Sequence, residues 1–264
     1  MKTVLIIGIG AGDPEYLTVQ AVNALNRADV FFLLDKGADK ETLVDFRREI
    51  CRRYIKDRDY RFVDAASPEW DRRSDAYRLT IDTLNGDKQA LFERLIGEGM
   101  ADGECGAFLV WGDPALYDST IRIVEAIARN GVSMDGRDGA PAIDYEVIPG
   151  ITAPQALAAK HRVPLNRIGG SFAVTTGRRI AEEFPADLDS VVVMLDSKDA
   201  YRRYADQDID IYWGAYIGTP DEILIAGKLK DVAEEIARTR AEARETHGWI
   251  MDTYLMRRND PPEE

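Results

Sequence analysis

Three short stretches set glycine or proline beside residues that can bind polar groups. They read VLIIGIGAGDPEYLT from Val4, VWGDPALYDST from Val110 and VIPGITA from Val147. The first has the look of a phosphate-binding loop, an apolar run entering Gly8, Gly10 and Gly12. A dinucleotide fingerprint needs its third glycine at position 13, and that position is Asp. A carboxylate there repels a pyrophosphate, and Pro14 removes a backbone donor that an anion would use. The loop is therefore a tight turn serving something other than a bound diphosphate. In the second stretch Trp111 offers an apolar plane beside Gly112, and Asp113 can accept hydrogen bonds from hydroxyls or an ammonium. Tyr117, Asp118, Ser119 and Thr120 follow, of which Asp118 or Ser119 suits a helix N-cap.

These turns need a scaffold, and the hydrophobic pattern predicts one. Val4–Ile9, Val30–Leu34, Ala107–Val110 and Tyr145–Ile148 read as buried strands. Helices are predicted over Thr18–Ala28, with Val19, Val22 and Leu25 on one face, and over Glu41–Tyr54, Ser119–Arg129 and Thr152–Lys160. Asp71–Gly97 reads as a long helical region interrupted near Asn85-Gly86. The alternation implies a mostly parallel sheet with helices on both faces, so that all three turns lie at the carboxyl ends of strands, where such sheets bind ligands. After about Pro164 strands dominate: Ser171–Thr175, Ser190–Leu195, Ile209–Tyr216, Glu222–Lys230 and Trp249–Met256, with one clear helix at Asp231–Thr246. Gly218-Thr219-Pro220-Asp221 joins two of them as an antiparallel hairpin. We therefore expect an α/β N-terminal domain over 1–165, a mixed α+β C-terminal domain over 166–264, and a ligand cleft between them. Gly131–Ala142 reads as an exposed loop and Asn259–Glu264 as a disordered tail.

Composition narrows the partners. The chain has 264 residues, 34 Lys+Arg against 47 Asp+Glu, and a formal charge of −13, which disfavours nucleic acid and acidic membranes. An anionic small molecule needs only a local basic patch. Two cysteines and two histidines make a zinc site or a disulfide framework improbable and suit a cytoplasmic protein. There is no signal-like or membrane-length apolar run. His161 and His247 stand alone, with no nucleophile arranged beside them. The pairs Arg47-Arg48, Arg52-Arg53, Arg72-Arg73 and Arg257-Arg258 read as solvated faces, whereas Arg178-Arg179 follows a strand and Gly177.

Taken together, GIGAGDPEYLT, WGDPALYDST, VIPGITA and TPDEILIAGKL resemble the tetrapyrrole methylase family, S-adenosylmethionine-dependent enzymes of cobalamin and sirohaem biosynthesis. LLDKGADKETLVDFRREIC, VVVMLD and HGWIMDTYLMRRN resemble more narrowly the members that methylate a precorrin and release acetate. The likeness runs from about residue 3 to 259, with no recognised motif over 57–101. It implies the family's two-domain fold, a tetrapyrrole substrate and a homodimer. It also implies S-adenosylmethionine contacts at Ala11, Trp111, Gly112, Asp113, Leu116, Thr152, Ala153, Met194 and Gly218. The implied methyl transfer needs alignment rather than a protein nucleophile, while acetate release needs a general base and an oxyanion donor. Asp35 and Tyr117 are the candidates, and Lys36, Arg178 and Arg179 are candidate partners for substrate carboxylates. Another corrin- or sirohaem-pathway methyltransferase, a non-catalytic cofactor-binding relative and a nicotinamide oxidoreductase are the alternatives, the last disfavoured by Asp13.

Overall fold

The structure is a computed structural model that describes residues 1–35, 41–67, 77–130 and 143–259. Its contacts divide the chain into two compact units, one of residues 1–10 and 14–151, the other of 11–13 and 152 onward. This division falls upstream of residue 165.

The first unit is a five-stranded sheet in the order β3-β2-β4-β1-β5, with every pairing parallel. The strands are β1 (Thr3–Gly8), β2 (Val30–Asp35), β3 (Arg61–Ala66), β4 (Cys105–Val110) and β5 (Asp144–Ile148). The unbroken apolar run of β1 has a simple cause. Successive side chains point to opposite faces, and both faces are covered. Val4 and Ile6 pack with Leu91, Phe92 and Ile96 of α3 (Tyr77–Gly99) and with Val124 and Ile127 of α4 (Thr120–Asn130). Leu5 and Ile7 pack with Ala21 and Leu25 of α1 (Val19–Leu25) and Ile50 of α2 (Glu41–Tyr54). Each such side chain contributes roughly 1.5–3 kcal/mol on burial.

Three readings change here. α1 is capped by Thr18, whose side chain accepts from the Ala21 amide, but its inner face is Ala21, Ala24 and Leu25. Val19, placed on that face from spacing, is 79% exposed. α3 runs through Asn85-Gly86 without a break, because the buried row of Leu91, Phe92, Leu95 and Ile96 outweighs the roughly 1 kcal/mol that an interior glycine costs. β3 was not foreseen. It pairs with β2 alone, and its sequence RFVDAA has the charges of an edge strand rather than a core pattern. The expected helical stretch over 71–76 and loop over 131–142 lie outside the described residues.

The second unit carries the sheet β6-β7-β10-β8-β9, of β6 (Phe172–Thr176), β7 (Ser190–Met194), β8 (Ile209–Ala215), β9 (Ile223–Lys228) and β10 (Asp252–Arg258). Only β6 and β7 pair in parallel, and β8–β9 is the expected hairpin. α5 (Ala153–His161) packs on β8, β9 and β10, and α7 (Leu229–His247) on β8 and β9. Between strands and α7 lies a buried ionic network. Arg240 Nε donates to Asp252 Oδ2 at 2.8 Å and Nη1 to Asp199 Oδ1 at 2.8 Å, while Nη2 donates to the Asp196 carbonyl. Trp213 Nε1 donates to Asp252 at 3.0 Å, and Tyr254 OH to Asp196 Oδ2 at 2.7 Å. Burial pushes the Asp252 carboxyl up against the pull of Arg240. The aspartate of HGWIMD therefore has a structural task. Asn259, expected in a free tail, is held by Asp208, its amide donating to the carbonyl at 2.9 Å, whereas 260–264 lie outside the described residues.

Candidate functional site

The turns after β1, β4 and β5 meet at the carboxyl edge of the parallel sheet. Gly10 and Gly112 form a two-way bridge, the Gly112 amide donating to the Gly10 carbonyl at 2.8 Å and the Gly10 amide to the Gly112 carbonyl at 3.2 Å. Asp113 ties in the third turn. Its Oδ2 accepts from the Gly150 amide at 2.8 Å and its Oδ1 from the Ala115 amide at 2.7 Å. A Cβ on Gly150 would lie 2.1 Å from the Gly112 carbonyl oxygen, and one on Gly8 would lie 2.6 Å from the Gly150 nitrogen. These positions are glycine because three backbones touch one another, which settles what the glycine cluster is for.

Around this hub the remaining side chains take defined places. Trp111 is half-buried, its ring centroid 5.0 Å from that of Phe46 on α2. Leu116 is half-buried in the same turn. Asp118 Oδ1 accepts from the Thr120 amide at 2.7 Å and so starts α4. Tyr117 is 47% exposed with φ of 52°, a strained value for an aromatic residue. Burial raises its phenol above the ordinary tyrosine value, so the group holds its proton and suits a donor better than a base. β2 ends at Asp35, whose side chain, like the whole of Lys36, lies outside the described residues.

Sequence reasoning missed Arg47. Its Nε donates to the Leu109 carbonyl at 2.9 Å, one residue before the end of β4, and its Nη1 to the Leu43 carbonyl at 2.7 Å. The residue keeps some surface, yet enclosure of its guanidinium lowers the pKa to about 10, against the opposing pull of Asp118. Helical phase was the available signal. Arg47 stands four residues after Leu43 and four before the buried Cys51, on the inner face of α2, and the adjacent Arg48 obscured that.

The second unit holds the other candidates. Ala11 is buried, and Gly12 has φ of 122° with its missing Cβ aimed 2.2 Å from the Ile217 carbonyl oxygen. Gly218 has φ of 80°, and its amide donates to Glu222 Oε2 at 2.7 Å, which also pairs with Lys160 Nζ at 3.1 Å. Thr152 caps α5 through a reciprocal exchange with Gln155, and Ala153 is the first helical residue. Met194 ends β7 half-buried. Arg178 and Arg179 are exposed on α6 (Gly177–Ile180), with Arg179 Nη1 3.4 Å from Glu182 Oε2. His161 is structural, its Nε2 3.0 Å from the Trp213 carbonyl and its pKa lowered by burial. Among the described residues no group of three or more His, Cys, Asp or Glu could hold a metal ion, and no helix is long and apolar enough to cross a membrane.

Comparison with known proteins places this geometry. The tetrapyrrole (corrin/porphyrin) methylases match over residues 3–233. A precorrin-6A synthase (deacetylating) of Sinorhizobium sp is 48% identical over 98% of this chain and 96% of its own length. The crystal structure of a cobalamin-synthesis-related protein of Corynebacterium diphtheriae superposes with a TM-score of 0.81 at 35% identity, covering 98% of this chain and 100% of that one. A uroporphyrin-III C-methyltransferase of Thermus thermophilus shares the fold, with a TM-score of 0.61 at 23% identity over 97% of this chain and 92% of its own. With its three glycine turns gathered on one sheet edge and this match over most of its length, the chain belongs to the tetrapyrrole (corrin/porphyrin) methylase family.

Proposed function

We propose that the chain methylates C1 of precorrin-5 with S-adenosylmethionine and releases acetate, giving precorrin-6A. The observation that carries this reading is the 48% identity to a deacetylating precorrin-6A synthase, which spans nearly the full length of both chains. The donor set suits the cofactor. The carbonyls of Ala11, Gly112, Thr152, Ala153 and Gly218 can each accept from the cofactor through a second lone pair, the amides of Gly112, Thr152 and Gly218 being committed to Gly10, Gln155 and Glu222, while Trp111, Leu116 and Met194 offer apolar surface. The Asp113 carboxylate accepts two amides and retains lone pairs for an ammonium or a ribose hydroxyl. When bound, the cofactor supplies a methyl already activated on a sulfonium, so the chain needs no nucleophile of its own.

The protein's work is alignment and exclusion of water from that methyl. Acetate release asks more. Water adds to the acetyl carbonyl carbon, the bond from that carbon to the ring breaks, the electron pair passes to the macrocycle, and acetate departs. Asp35 is the proposed acceptor of the water's proton. Tyr117, protonated and partly exposed, is the proposed donor to the carbonyl oxygen as charge develops there. Lys36, Arg178 and Arg179 are proposed to meet peripheral carboxylates, and the enzyme is proposed to act as a cytoplasmic homodimer.

Anaerobic incubation of the purified protein with S-adenosylmethionine and precorrin-5, read by mass spectrometry, tests the reading. A singly methylated product with an equivalent of free acetate is expected. Methylation without acetate would leave a different tetrapyrrole methyltransferase, and affinity for NADH in place of S-adenosylhomocysteine would end the methyltransferase reading altogether.

A further inference from the structure

Four arginines project from α2, and three of them have carboxylate partners. Arg48 pairs with Asp64 at 2.6 Å, Arg52 with Glu49 at 3.2 Å and Arg53 with Glu15 at 3.0 Å. Arg47 has none within ion-pair distance among the described residues. It is nevertheless the one whose guanidinium is enclosed, and enclosing a cation without a counter-charge is unfavourable. Its Nε and Nη1 are fixed by the carbonyls of Leu109 and Leu43. That leaves Nη2, which has no partner among the described residues and is not among their sealed, unsatisfied side-chain atoms.

Position matters as much as isolation. Leu109 lies in β4 immediately upstream of Val110, Trp111 and Gly112, and Phe46, the neighbour of Arg47, packs on Trp111. Arg47 is therefore anchored beneath the same carboxyl edge that gathers the three glycine turns. Two carbonyl anchors lock the fork in one orientation, so an anion meeting it pays little further rotamer entropy. One carboxylate, Asp118, acts on it electrostatically from the α4 side without forming an ion pair. The arrangement is a held, partly desolvated cation awaiting an anion.

We propose that Arg47 is a substrate-positioning residue that binds a peripheral carboxylate of the tetrapyrrole. The inference rests on the methyltransferase reading above, and it adds a substrate contact on α2 to the arginines nominated on α6. An anionic porphyrinoid is the ligand class that fits both the guanidinium and an edge bearing a tryptophan face. Arg47→Lys and Arg47→Met test it, with uroporphyrin III titrated by fluorescence and S-adenosylhomocysteine titrated by calorimetry in the same preparations. Arg47→Met should weaken uroporphyrin III binding by about tenfold, as loss of a charge-assisted contact would, and leave S-adenosylhomocysteine affinity unchanged. Arg47→Lys should restore part of the loss, since it keeps the charge and gives up the fork. Unchanged uroporphyrin III affinity in a Met variant that still binds S-adenosylhomocysteine overturns the proposal. Should the Met variant not fold, unchanged uroporphyrin III affinity in the Lys variant overturns it equally. Failure of the wild-type protein to bind S-adenosylhomocysteine instead overturns the reading on which the proposal stands.

Discussion

Gly150→Ala is the sharpest test of the glycine hub. The added methyl carbon would stand 2.1 Å from the Gly112 carbonyl oxygen and 2.9 Å from the Gly8 carbonyl carbon, all backbone atoms that cannot swing aside. Ordinary contact needs more than an ångström of further separation, so the third turn must leave the other two. That movement lengthens the 2.8 Å bond from the Gly150 amide to Asp113. Overpacking costs about 1–3 kcal/mol, and a hydrogen bond to a charged group contributes about 1.5–3 kcal/mol. Alanine returns about 0.4–1 kcal/mol by restricting the unfolded chain, because Gly150 has no positive φ for it to strain. The net loss is about 3 kcal/mol, or on the order of 10 °C in Tm for a chain of this size. Urea and thermal unfolding followed by circular dichroism read it directly. Gly86→Ala is the control. That glycine lies in α3 with nothing within 4 Å of a new Cβ, and the change should stabilise by about 0.5–1 kcal/mol. A Gly150→Ala protein as stable as wild type would show that the turns do not depend on their mutual contact.

Two further outcomes follow from ionic groups. Asp252→Asn leaves Arg240 buried with Asp199 as its remaining ion-pair partner and should destabilise by about 2 kcal/mol in urea unfolding, while Arg240→Met with Asp252→Asn together should cost less than the sum of the single changes. Glu104, held by Arg61 and then by the Ala101 amide, has its pKa lowered from 4.5 to about 2; its stabilisation is thus present above pH 4.5 and fades as pH falls toward 2. Arg61 is half exposed, so the size is about 1 kcal/mol, and the stability gap between wild type and Glu104→Gln should narrow on acidification; a gap as wide at about pH 2.5 as at neutral pH would contradict the assignment.

Legibility in the sequence followed burial symmetry. β1 was readable because both of its faces are covered, which leaves a short β-branched apolar run ending at a glycine turn. β3 was not, since an edge strand of six residues with an arginine and an aspartate lacks both alternation and apolar excess. The three turns were visible as glycine and proline punctuation, but their shared cause was not. That Gly8, Gly112 and Gly150 touch is a fact of three strands ending side by side, and spacing along the chain does not encode it. The same limit hid the task of Asp113, which read as a ligand contact and is found first as a clamp between two turns.

Charge explains why Arg47 stands out in an acidic chain. At −13 the protein repels a polycarboxylate at long range, and physiological salt shortens that repulsion to about 8 Å. Inside that distance local cations decide, and many are already spent. Arg27 pairs with Glu146, Arg58 with Asp29, Arg61 with Glu104 and Arg129 with Glu125. A paired surface arginine gains little by exchanging one carboxylate for another, because the partner it gives up was already compensating it. A guanidinium held by two carbonyls, with Asp118 acting on it only at longer range and no ion pair among the described residues, still has much of that electrostatic interaction to gain. An acidic surface that excludes casual anions and an enclosed cation at the sheet edge, without an ion pair among the described residues, are therefore compatible. The first sets the background against which the second can discriminate.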